Sequence, residues 1–177
     1  MKTIKTVSIL VAMMFVVAAC GSSEKPSTGF SDEPAWVTNP IKGCGVGSSK
    51  DRGIRDLTRK AAIASARDDL ARQLKMTVQG MIKQYKAMGE TEGKEFAEEQ
   101  TTQVSRNMVN TTMVGSIVKR TGMVKRNYYA MVCLDPETFA DAFDKMNEMG
   151  NKMRAALKKR AKAEFADLDK QLEKMDN

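Results

Sequence analysis

The first twenty residues fix how much of this chain is left to fold and in which redox compartment it does so. Lys2 and Lys5 make a basic start, Val7 to Val17 an apolar run, and Ala18 and Ala19 a small-residue cleavage site just before Cys20. A cysteine directly after such a site is the signature of a bacterial lipoprotein, and its thiol carries a diacylglycerol. The apolar run is short of the roughly 20 residues a spanning helix needs. Residues 1–19 are therefore read as a lipoprotein signal peptide and Cys20 as the lipidation site. Two or three acyl chains hold a protein on a bilayer durably, where one is marginal. An Asp after the cysteine would argue for inner-membrane retention, so Gly21 favours the outer membrane.

Removing this leader from 177 residues leaves 158, enough for one domain with a real core. It also removes two lysines and lowers the formal charge from +7 to +5. Such basicity in a cytosolic chain would suggest nucleic acid. In an exported one it suggests anionic lipid, lipopolysaccharide or cell-wall polymer, and no nucleic-acid partner is expected.

Histidine is absent, which removes the commonest general base and the commonest metal ligand. With Cys20 committed to lipid, Cys44 and Cys133 remain. In an oxidising compartment an even pair reads as a disulfide before it reads as a metal site. Two lone cysteines also fall short of a zinc ligand set. No catalytic residue, metal or cofactor is expected, and the chain is not read as an enzyme. The carboxylate pairs Asp68–Asp69 and Glu98–Glu99 are the remaining candidates for chemistry. Adjacent acids point to different helix azimuths and read as surface charge.

Residues 20–33 are polar and carry Ser, Gly and Pro, so they form a lipidated flexible tether. The folded part begins at Pro34-Ala35-Trp36-Val37, with Trp36 expected to plug the edge of the core. Gly43, Gly45 and Gly47 alternate along a short strand. A dinucleotide-binding turn would need a buried apolar strand before them and a later final glycine. They are read instead as sites of close approach. From about Asp51 to Met88 the spacing predicts a helix whose apolar residues include Ile54, Leu57, Ala61, Ala64, Leu70, Leu74, Val78, Met81, Ile82 and Tyr85. Its Ala61–Ala66 stretch is small enough for tight contact with a sheet. A second, less apolar helix is expected from Lys94 to about Asn110, with Phe96 on its face. Thr111–Val124 and Tyr128–Leu134 read as two strands joined by Lys125-Arg126-Asn127, with Asn127 taking the positive φ.

Asp135-Pro136-Glu137 is a helix start: a capping side chain, a proline at the first helical position and an acid at the positive end of the dipole. The segment 136–177 then reads as a long amphipathic helix. Phe139, Phe143, Met146, Met153, Leu157, Phe165, Leu168, Leu172 and Met175 recur at mostly four- and three-residue steps. Some forty residues would reach roughly 60 Å, so the far half either meets a partner helix or folds back near Gly150 or Asn151. Lys152, Arg154, Lys158, Lys159, Arg160 and Lys162 form a basic block within it.

The lipobox, the tether, Pro34-Ala35-Trp36-Val37 and the Gly45-Val46-Gly47 strand resemble the LPP-twenty family of Gram-negative lipoproteins. The alanine-rich run Ala61-Ala62-Ile63-Ala64-Ser65-Ala66-Arg67-Asp68-Asp69-Leu70-Ala71 is similar to that family's most recurrent stretch. Tyr129-Ala130-Met131-Val132-Cys133-Leu134 resembles its closing strand. The resemblance covers roughly residues 20–135. It implies a small α+β domain, a three-stranded sheet packed on helices, at the outer membrane, with no established catalytic residues. Some relatives are flagellar or surface antigens. The cysteine pair and the charged C-terminal helix depart from the pattern, so a flagellar role is not carried over.

The expected architecture is thus α+β: a three-stranded antiparallel-type sheet in an LPP-twenty-like domain at 34–135, followed by a long C-terminal helix. The Gly43–Gly47 strand is placed beside Tyr128–Leu134, which brings Cys44 to Cys133. The expected function is a non-enzymatic, lipid-anchored outer-membrane protein facing the periplasm or the surface. It serves as a structural or assembly component and self-associates or meets an envelope protein. The alternatives are a binding module for an anionic envelope polymer, lipopolysaccharide or cell wall, and a flagellum-associated lipoprotein.

Overall fold

In a computed structural model, residues 32–89 and 97–176 are described. Cys20, most of the tether and Phe96 lie outside them. Glu33–Asn177 forms one compact unit, which takes in the 136–177 segment. A single helical turn, α1 (Ala35–Thr38), precedes β1 (Cys44–Lys50), the long α2 (Arg55–Ala87) and α3 (Glu98–Val114). The hairpin β2 (Ile117–Val124) and β3 (Asn127–Cys133) follows, then α4 (Pro136–Ala142), α5 (Asn151–Glu164) and α6 (Leu168–Asp176). The sheet is antiparallel with β3 in the centre, β1 on one side and β2 on the other. The fold is α+β.

The register places Cys44 opposite Cys133, Gly45 opposite Val132 and Gly47 opposite Ala130. Gly45, Gly47, Val132 and Ala130 therefore share one face, and α2 lies directly on it. A Cβ at Gly47 would stand 2.2 Å from the Ala66 backbone nitrogen, and one at Gly45 would stand 2.3 Å from the Ala66 carbonyl oxygen. Helix backbone touches strand backbone here, which only glycine opposite alanine permits.

That contact corrects the N-terminal part of the expected face of α2, while Leu70, Leu74, Val78, Met81, Ile82 and Tyr85 are buried as expected. Ile54 and Leu57 are 57% and 60% exposed, and Ala61 and Ala64 also point outward. The buried row is instead Thr58, Ala62, Ala66, Leu70, Leu74, Val78 and Ile82, at steps of four, with Met81 and Tyr85. Over the glycines, small size decides which residues face the sheet, and hydropathy does not. The helix also packs on α3 and α5, and from Leu70 onward its buried row carries larger side chains.

The other face of the sheet carries Cys44, Cys133, Met131 and Tyr129, all buried. Trp36 is half-buried there against Gly122, the register partner of Tyr129. The expected plug is in place. The Tyr129 hydroxyl donates to Glu33 Oε1 at 2.7 Å, tying the start of the compact unit to β3. Arg120, opposite Met131, donates to the Met175 carbonyl and so links β2 to α6.

Two boundaries differ from the sequence reading. Thr111-Thr112-Met113-Val114 closes α3 rather than opening a strand. Threonine fits a helix when its hydroxyl bonds back one turn, and Thr111 Oγ1 donates to the Asn107 carbonyl at 2.9 Å. Gly115 then ends the helix where a Cβ would crowd Thr138 at 3.1 Å. In the hairpin, Val124 pairs with Asn127, so Lys125-Arg126 is the two-residue turn. Lys125 takes the positive φ of 54° in place of Asn127.

Asp135 caps α4 as expected, its Oδ2 accepting from the Thr138 N–H at 2.8 Å. The long C-terminal helical segment runs from Asn151 to Met175, with a turn at Phe165–Asp167 between α5 and α6. It does not continue from Pro136. The chain tightens into a 3-10 turn at Phe143–Lys145, breaks before Gly150, and α5 packs back on α4. The fold-back near Gly150 is the alternative the molecule takes. Phe139 stacks edge-to-face on Phe143 and Phe165, with centroids 5.7 and 5.3 Å apart, and locks that return. Met153, Leu157, Ala161, Phe165, Leu168 and Leu172 are all buried within this one chain. The apolar stripe that suggested a partner helix is thus already covered.

Candidate functional site

Two places concentrate unusual chemistry. The first is the Cys44–Cys133 disulfide, which joins directly opposed residues 4.0 Å apart at Cα. Gly43 and Leu134, one step outward, share a ladder hydrogen bond. The cysteines therefore form a non-hydrogen-bonded pair, where antiparallel strands come closest. The bond closes a separation of 89 residues, and a loop of that size contributes about 2–4 kcal/mol.

Beside it, α2 stitches the outer edge of β1. Asp69 Oδ2 accepts from the Val46 N–H at 3.1 Å and from Gln73 Nε2 at 2.9 Å. Gln73 Nε2 also donates to the Cys44 carbonyl at 3.3 Å. A carboxylate and an amide thus replace the missing neighbour strand at two positions. Asp69, weighed in sequence as a chemical carboxylate, is a structural acceptor. Asp68 points into solvent. Glu98 and Glu99 are exposed in the first turn of α3, where they complement the helix dipole.

The second place is an open groove of about 540 Å³ along α5. Arg154, Lys158 and Lys162 line it at steps of four, with Lys159 alongside, and Asn151 and Asp144 at one end. The structure therefore divides the basic block read from sequence. Arg160 leaves the row, donating to Gln84 Oε1 at 3.2 Å and so joining α5 to α2. Lys158 sits between Asp141 at 2.9 Å and Asp144 at 2.5 Å. The hydrogen bond from Lys158 holds the Asp141 carboxyl below its usual range, and its charge adds to the effect. The Lys158 ammonium is pushed up, first by its hydrogen bond to Asp144 and then by that to Asp141. Arg154 donates to Asn151 Oδ1 and to the Asp144 carbonyl. Lys159 and Lys162 are in no ion pair among the described residues.

Sequence reading missed Asp141 and Asp144 as the groove's acids. Their signal was present as two aspartates at three-residue spacing just before the fold-back. A smaller cavity of about 450 Å³ lies between α2 and α3, where Lys86 donates to Thr101 Oγ1 at 3.4 Å. The Tyr129 phenol is pushed above its usual range, first by its hydrogen bond to Glu33 and then by burial.

Of the sequence-predicted site residues, Cys44 and Cys133 are brought together, and Cys20 lies outside the described residues. Among the described residues no three His, Cys, Asp or Glu side chains cluster to hold a metal ion, and no helix is long and apolar enough to cross a membrane. No known family model matches the chain, and no curated protein matches it either.

Proposed function

We propose that this chain is a non-enzymatic, lipid-anchored protein of the outer membrane, with Cys20 as its acylated residue and a structural or assembly role in the cell envelope. Cysteine arithmetic carries the reading. The sequence holds three cysteines, and two are bonded to each other across the sheet. The third is Cys20, directly after Val17-Ala18-Ala19. A cross-strand disulfide suits an oxidising compartment, which is where a lipobox would deliver the chain.

The LPP-twenty resemblance belongs to the same proposal. Three of its quoted motifs meet at one place: the Gly45-Val46-Gly47 strand pairs with the Tyr129–Leu134 segment beneath Ala62 and Ala66. Contacts with envelope neighbours or a second copy would use surface other than the buried stripe of α5 and α6. The exposed apolar side chains Val114, Ile117, Val118 and Met123, at the end of α3 and along β2, are open to such contacts.

The test is metabolic labelling with a palmitate analogue in a Gram-negative host, followed by separation of inner and outer membranes. Wild-type chain should carry label and band with the outer membrane. Cys20→Ser should lose the label and no longer band with the outer membrane. An unlabelled wild type, or a Cys20→Ser protein that still bands with the outer membrane, overturns the proposal.

A further inference from the structure

We propose that the groove along α5 is a binding site for a multiply phosphorylated anion. From Asn151 to Ala163 the helix carries six cations and no acid. Like charges at four-residue steps repel one another, so this row is unfavourable without a counter-charge. The fold supplies part of one, because Asp141 and Asp144 both engage Lys158 at the centre of the row. Arg154 at one end, and Lys159 with Lys162 at the other, are in no ion pair among the described residues.

The site is therefore positive at both ends and compensated in the middle. Arg154 and Lys162 are eight residues apart, or about 12 Å along the axis. A single carboxylate reaches one end only. A ligand with two or more phosphate groups on a short polar framework reaches both, meeting a guanidinium fork at one end and ammonium point charges at the other. The first turn of α5 adds to the field. It holds no acid, and Gly150 gives it no side-chain cap, so no residue of the helix's own first turn offsets the positive end of its dipole.

The same chemistry occurs on a bisphosphorylated membrane glycolipid and on a free polyphosphate, and two arms of one experiment separate them. The protein is the full mature chain with Cys20→Ser, so that acyl insertion contributes nothing to binding. Soluble tripolyphosphate is titrated by calorimetry. Phosphatidylcholine vesicles with and without a bisphosphorylated glycolipid are tested by flotation. The expected result is saturable binding in at least one arm, weakening as salt rises.

Lys159→Glu with Lys162→Glu should lower affinity at least about tenfold, the equivalent of 1.4 kcal/mol. Both lysines are exposed and in no ion pair among the described residues, so the melting temperature should fall by a few degrees at most. Lys60→Glu with Arg67→Glu on α2 makes the same charge change away from the groove and should alter affinity by less than about twofold at a salt near 0.15 M, where the screening length is about 8 Å. Binding in neither arm overturns the proposal. Equal loss in both double variants also overturns it, because it would reduce the effect to net charge. Failure of Cys20 acylation in the labelling experiment would leave the tripolyphosphate result standing, so the two proposals fail separately.

Discussion

β1 and β2 flank the same central strand and meet opposite treatment. β1 is glycine-rich, lies under the backbone of α2, and has two outer-edge groups satisfied by Asp69 and Gln73. β2 is richer in β-branched and long apolar residues, yet Ile117, Val118 and Met123 remain exposed. Apolar content alone would have buried the wrong edge. Approach distance decides, because a helix settles deepest where the strand has no Cβ atoms. A register irregularity between Val118 and Arg120, with Lys119 in it, then blunts the β2 edge against pairing.

The strongest way to break this contrast is Gly47→Val. Its Cβ would meet helix backbone at 2.2 Å, and backbone cannot rotate aside. A loss of about 4 kcal/mol or failure to fold is expected, larger than ordinary overpacking. A melting temperature within a few degrees of wild type would show that α2 does not rest on β1.

Replacing both Cys44 and Cys133 by Ser should cost about 2–4 kcal/mol by denaturant titration. Reductant should then shift wild type and leave the variant unmoved. Equal stability with and without reductant would mean that the β1–β3 ladder needs no covalent help. Asp69→Ala removes the acceptor for the Val46 N–H and should cost about 1–2 kcal/mol. Faster amide exchange at Val46 alone would be the sharper signature.

The smallest effects are expected on the exposed side. Leu57→Ala and Met123→Lys should each change stability by less than about 0.5 kcal/mol. Ala62→Leu, five residues on from Leu57 but over the glycines, should be far more damaging. Were Leu57→Ala the worse of the two, the face of α2 given above would be wrong.

Much of the fold was legible because its signals are local. The Asp135-Pro136 start, the three strands, their antiparallel order and the Cys44–Cys133 pairing all follow from residue type and placement. The alternating glycines and the alanine run also signalled a close contact. Errors came where two local readings compete. Thr111–Val114 has strand propensity, but a helix already in progress can absorb threonines by back-bonding. The candidate groove was visible only as a charge block. Its inner and outer members could not be sorted before α5 was known to pack on α4, which is what sends Arg160 one way and Lys158 to the aspartates.

The sequence by itself determined most helix and strand segments, Thr111–Val114 and the break before Gly150 apart, that a pair of cysteines would bridge the sheet, and that small residues would line one contact. Tertiary structure decided which side of α2 faces inward, where the C-terminal segment turns back, and that its apolar stripe is used up internally. The reason is physical. Periodicity fixes the spacing of residues along an element, while its rotation about the axis is set by the shape of what it packs against. Here that shape is a strand surface without side chains.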